Sequence, residues 1–158
     1  MMERRCCHSA GLTLIELLVA MTILSILAAG ILPLSQMTYK RTREIELRQN
    51  LRVIRTAIDR YKQLVDEKKI EVTVSSSGYP ESLDALVEGV AVVSESTAPV
   101  RMKFLRRIPK DPMVADGEWG LRSYSDDHQS EIWGGQDVYD VYSQSDRQAL
   151  DGSNYKDW

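Results

Sequence analysis

The sequence predicts an α+β chain. A long N-terminal α-helix, membrane-spanning in its first half and kinked near Pro33, packs its second half against a small C-terminal antiparallel β-sheet. Three observations carry that expectation: an apolar run at 12–34 holding a single charge, an apolar stripe at helical spacing over 47–65, and alternation of side-chain character at 137–143. The 158 residues allow one compact domain with a core and argue against a large two-domain catalyst. Averages of 43% hydrophobic, 27% charged, net charge −3 and mean hydropathy −0.30 describe an ordinary soluble domain. They are sums over unlike segments.

The run Leu12–Leu34 reads LTLIELLVAMTILSILAAGILPL, and as a helix its 23 residues reach across a hydrocarbon core of roughly 30 Å. Ala28-Ala29-Gly30 offers small residues to a signal peptidase, but secretory apolar regions are shorter and hold no carboxylate. Glu16, if ionised and unpaired at mid-bilayer, costs about 2.5–3.5 kcal/mol, so it lies near the interface or meets a cation. Pro33 lacks an N–H, which leaves the Ala29 carbonyl without its helical partner; with Gly30 nearby, the helix is expected to bend or locally melt there.

Beyond Pro33, Leu47, Leu51, Ile54, Ile58, Tyr61 and Val65 recur at steps of four and three, one stripe of an amphipathic helix that needs a partner. Joined to the apolar run it makes one helix from about Leu12 to Val65, roughly 80 Å long. Residues 40–69 carry ten Lys or Arg against five acids, and Asp111 onward carries eleven acids against Arg122, Arg147 and Lys156. Such asymmetry can hold subunits of an assembly head to tail or draw an anionic partner. Nucleic acid is not expected, because the cations are interleaved with acids and lack an aromatic stacking platform. A solvated helix face is the simplest account.

Val72–Gly78 reads as a loop. Tyr79–Gly89 reads as a short helix started by Pro80 or Ser82 and ended by Gly89. Strands are expected around Leu121–Ser125, Glu131–Trp133 and Asp137–Ser143. The aromatics Trp119, Tyr124, Trp133, Tyr139, Tyr142, Tyr155 and Trp158 are assigned to sheet and loop packing. Cys6 and Cys7 are the only cysteines, so the body of the chain is held by packing or a bound ion rather than a disulfide. His128, alone in an acidic loop, reads as a surface residue. No nucleophile triad, phosphate loop or paired-carboxylate signature is present, and no catalytic site is expected.

The segment Ala10-Gly11-Leu12-Thr13-Leu14-Ile15-Glu16-Leu17-Leu18-Val19-Ala20 resembles the prepilin cleavage and methylation motif of type IV pilins and type II secretion pseudopilins. Leu12 stands where Phe is usual. The resemblance implies a pilin-like fold, cutting by prepilin peptidase between Gly11 and Leu12, N-methylation of Leu12, and assembly through Thr13, Glu16 and Pro33. Glu16 can pair with the new α-amine of a neighbouring subunit, offsetting its burial and setting register. Alternatively it sits at its own helix N-terminus, where the macrodipole favours an anion.

Tyr79–Gly89 and the stretch Phe104–Pro112, with its Pro109-Lys110-Asp111-Pro112 turn, resemble segments of major pseudopilins, with Met113 in place of a common Trp. The tail Ser143–Trp158 resembles their calcium-binding loop, which implies calcium on Asp146 and Asp151, with Asp157 third. The glycine-rich part of that loop is missing, and ordinary Asx turns account for the same residues.

These readings divide the chain into a cleaved leader at 1–11, a transmembrane and filament-core helix half at 12–34, an amphipathic half at 35–69 and a globular region at 70–158. The implied role is a non-enzymatic filament subunit, single-pass in the inner membrane with its C-terminal region in the periplasm. The implied partners are prepilin peptidase, copies of itself, minor pseudopilins and the inner-membrane secretion platform. A type IV pilin for adhesion, motility or DNA uptake is the alternative, and a membrane-anchored enzyme or binding module the alternative of another class. Arg4 and Arg5 before the run, against Lys40, Arg41, Arg43 and Arg48 after it, favour the opposite orientation by charge. The cytoplasmic N-terminus therefore rests on the resemblance.

Overall fold

The computed structural model describes residues 12–73, 76–93 and 100–158, with the side chains of residues 32 and 33 outside that description. The leader expected at 1–11, Gly11 included, lies outside the described residues. The chain divides into two compact units, residues 1–40 and 41–158.

The described part of the first unit is the beginning of helix α1 (Leu14–Asp66). The hydroxyls of Thr22, Ser25 and Thr38 donate to the carbonyls of Val19, Met21 and Leu34, so polar side chains on this apolar stretch are satisfied within the helix. Of the bend or local melting expected at Pro33, melting is not found, since the helix continues through 32 and 33. A proline deletes one N–H from the ladder, and here the helix runs on past it.

In the second unit the apolar stripe of α1 becomes the centre of the core. Leu47, Leu51, Ile54, Ile58 and Tyr61 are buried as the spacing predicts, joined by Ala57. The last position shifts from Val65, which is half-buried, to Leu64. The helix ends there in a Schellman motif: Lys69 N–H donates to Leu64 O and Lys68 N–H to Val65 O, both at 2.9 Å. Lys68 takes the left-handed conformation (φ 57°) where glycine is usual, which is why no stop signal is visible in the sequence.

Helix α2 (Leu83–Glu88) is capped by Ser82, whose Oγ accepts from Ala85 N–H at 3.3 Å, and ends at Gly89 (φ 85°). It delivers Leu86 to the core with no exposure. Strand β1 (Val90–Val92) pairs antiparallel with β2 (Val100–Met102), and β3 (Trp119–Arg122) pairs antiparallel with β4 (Asp140–Ser143). The expected single small sheet is thus two separate hairpin-like pairs, the first of which was not anticipated.

β3 begins two residues earlier than expected, because Gly120 lies opposite Tyr142 and takes its ring. A Cβ on Gly120 would collide with the Tyr142 Cζ. Glu131–Trp133 forms no strand, and Asp137–Tyr139 precedes β4 as loop. Side chains compete for the backbone here: Asp126 Oδ2 accepts from Ser123 and Gly134 N–H, and Asp137 Oδ1 from Tyr124 N–H. The Trp133 indole N–H closes the loop on Asp137 O at 2.7 Å.

In the turn before β3, Asp111 is buried, with Oδ1 accepting from Met113 N–H at 2.7 Å. The Trp119 indole N–H donates to Pro109 O. Met113 itself fills the core. A 3₁₀ turn, Tyr155–Asp157, follows the tail loop, which a bridge between Gln148 and Asn154 draws together.

Candidate functional site

Two places hold the residues that the sequence singles out. In the first unit, Thr13 immediately precedes α1, and its Oγ1 accepts from Glu16 N–H at 3.3 Å while its carbonyl accepts from Leu17 N–H at 3.2 Å. Thr13 is therefore the N-cap and Glu16 the third helical residue, the arrangement of a Thr-x-x-Glu helix start. That signal stood in the sequence, and Thr13 was read there only through the family motif. Glu16 is exposed, one turn into the helix, where the macrodipole favours its charge. Pro33 lies within α1 with its side chain outside the description, as Gly11 is altogether.

Around Glu16 the surface is apolar. Leu12, Leu14, Ile15, Leu17 and Leu18 are all exposed, and so are the large apolar residues onward through Leu34 whose side chains are described. Leu14 is 82% exposed. The most apolar 18-residue stretch of α1 has mean hydropathy 2.5 and none of it is buried, so it is not the core helix of this fold. Each such side chain left in water forgoes about 1.5–3 kcal/mol, so a dozen of them require an apolar environment: lipid, or the same helix on neighbouring subunits. The segment has Glu16 as its one charged side chain. It offers one carboxylate on an apolar rod, which in such surroundings recruits a cation.

The second place is the tail. Asp146 Oδ1 lies 2.6 Å from Lys156 Nζ, and the same ammonium reaches Glu131 Oε1 at 2.8 Å. Both contacts push the Lys156 pKa up. Asp151 Oδ1 accepts from Ser153 N–H (3.0 Å) and Oγ–H (2.6 Å), an Asx turn, while its Oδ2 meets Arg48 at 3.1 Å. The Ser153 bonds, then Arg48, hold the Asp151 carboxyl below its ordinary range. Asp157 Oδ2 accepts from Asn154 at 3.3 Å.

The three tail carboxylates are each engaged within the chain. Among the described residues no three His, Cys, Asp or Glu side chains gather as a cluster able to hold a metal ion, whereas a hard cation needs six to eight oxygens. Asp146, Asp151 and Asp157 each turn to a different partner in the chain.

Glu44 was missed. It is buried on α1, and its Oε1 accepts from Leu150 N–H at 2.8 Å and Tyr155 O–H at 2.9 Å, seating the tail on the helix. Extending the apolar stripe back by three residues from Leu47 places Glu44 on the buried face, which is the signal that could have found it. Arg48, one turn on, lies with its guanidinium 4.0 Å from the Trp158 ring centroid.

Comparison with known proteins gives one finding for the first site. Residues 6–32 match the family model described as the prokaryotic N-terminal methylation motif. No curated protein and no solved structure matches the chain. The motif is that of structural rather than catalytic proteins. It supports a type IV pilin-like or pseudopilin protein, processed by prepilin peptidase, anchored in a membrane by its apolar N-terminal helix and polymerising.

Proposed function

We propose that the chain is a major pseudopilin of a type II secretion system, of the general secretion pathway protein G kind. After removal of residues 1–11 and N-methylation of Leu12, its N-terminal helix packs with copies of itself into a periplasmic filament that drives folded proteins across the outer membrane. Minor pseudopilins and the inner-membrane secretion platform are its partners. Before assembly the helix rests in the inner membrane, with the globular unit in the periplasm.

The observation that carries this reading is the exposed apolar stretch of α1, with one carboxylate a turn from its start, under a methylation motif. The pseudopilus is favoured over the pilus because both cysteines precede Leu12. Many type IV pilins tie down the C-terminal region with a disulfide, and the processed chain has none to form.

Mass spectrometry of the mature N-terminus tests processing. A chain beginning at methylated Leu12 is expected; an intact leader or a cut after Gly30 overturns it. Deletion in the native host separates the two filaments. Loss of exported enzymes from the medium with surface fibres intact supports the pseudopilus, and loss of long surface fibres with secretion intact supports the pilus.

A further inference from the structure

We propose that the C-terminal loop Ser143–Trp158 closes without a divalent cation, the positive charge a metal would bring being built into the chain as Lys156 and Arg48. A hard cation stabilises a loop by collecting spaced carboxylates and carbonyls around one centre. Here each carboxylate is met by a different internal group.

The Lys156 ammonium, a compact charge with three donors, stands between Asp146 (2.6 Å) and Glu131 (2.8 Å) and so links the tail to the loop between β3 and β4. Arg48 answers Asp151 with one edge of its guanidinium and covers the Trp158 ring with its face. Asp157 closes on Asn154. Calcium entering at Asp146 competes with an ammonium already held at Oδ1, and at Asp151 with a guanidinium on one oxygen and two hydrogen bonds from Ser153 on the other.

The loop is also anchored independently of those pairs. Glu44 receives Leu150 N–H and Tyr155 O–H, Arg147 donates to Met113 O, and the Trp158 indole N–H reaches Ser153 Oγ at 2.7 Å. The lysine bridge is exposed on its carboxylate side, so it is a modest contact. It supplies the charge balance, and Glu44 supplies the seat. The proposal concerns the globular unit alone and stands for a pilus or a pseudopilus subunit, so the processing experiment above does not decide it.

Amide hydrogen exchange of residues 143–158, read by mass spectrometry on the full chain in detergent micelles, tests it. In the wild-type protein, exchange and melting temperature are expected to be the same with excess EGTA and with added calcium chloride. In Lys156→Met, which leaves Asp146 and Glu131 without their cation, exchange is expected to quicken several-fold, again regardless of EGTA. Lys156→Arg keeps the charge and is expected to exchange like the wild type. Wild-type exchange that quickens several-fold in EGTA and recovers with calcium overturns the proposal, and so does a Lys156→Met variant that exchanges at the wild-type rate.

Discussion

Removing the Glu44 carboxylate is expected to free the tail from α1. In Glu44→Ala two donors lose their acceptor: Leu150 N–H at 2.8 Å and Tyr155 O–H at 2.9 Å, the latter on a side chain only 1% exposed. A hydrogen bond to a charged group contributes about 1.5–3 kcal/mol net, and a buried donor left unpaired costs a further amount of similar size. Part of that cost is recovered when the loop opens to water, so a loss of about 3 kcal/mol is expected. For a unit of residues 41–158 this corresponds to a fall in Tm of roughly 12 °C.

The assay is thermal unfolding of the full chain in micelles, run as a cycle with Tyr155→Phe. Alone, Tyr155→Phe removes one of the two bonds and is expected to cost about 1.5 kcal/mol. In the Glu44→Ala background it removes a hydroxyl already without its partner, and the extra cost is expected to be near zero. The coupling is then about 1–2 kcal/mol. Additivity of the two substitutions within about 0.5 kcal/mol, or a Tm within about 2 °C of wild type for Glu44→Ala, would refute the reasoning.

Alkaline pH probes the same contact. Burial first, then the bond to Glu44, pushes the Tyr155 phenol from 10.0 up to about 12. The folded chain holds this proton more tightly than the unfolded one, so the contribution is complete below pH 10.0 and is lost as pH rises toward 12. Denaturation midpoints are expected to fall more steeply over that window in the wild type than in Tyr155→Phe, and parallel curves would contradict the assignment. Gly120→Ala places a methyl against the Tyr142 ring and is expected to lower stability by about 1–3 kcal/mol; the smaller Tyr142→Ser in the same chain should relieve most of the steric part, and no relief in the double variant counts against the clash. Glu16→Ala is expected to leave N-terminal processing intact while impairing filament assembly, read by mass spectrometry and electron microscopy; abundant filaments from the variant would show that the carboxylate is not needed.

The elements with strong local signals were legible from the chain alone. The apolar run, the stripe from Leu47 to Tyr61, the Ser82 cap and the Gly89 stop appear where periodicity and capping chemistry place them. Elements decided by competition were not. Glu131–Trp133 has strand-like composition, but Asp126 and Asp137 take the neighbouring backbone N–H groups and hold a loop instead. β1 and β2 are three residues each, too short for a period-2 pattern to rise above chance. The end of α1 carries no glycine, since Lys68 adopts the left-handed cap.

The start of α1 is sequential, and so the sequence by itself determined it: Leu12 and Thr13 directly precede the helix, Glu16 is its third residue, and the cap and the exposed apolar run follow from local chemistry. The tail is different. Asp146, Asp151 and Asp157 are close in sequence and suggest one ion, yet each side chain is turned by a partner, and Arg48 and Glu131 lie far off in the chain. Only the tertiary structure shows these separate pairs, because they depend on which charges folding brings within about 3 Å of each carboxylate, where Coulomb attraction and hydrogen bonding are strongest.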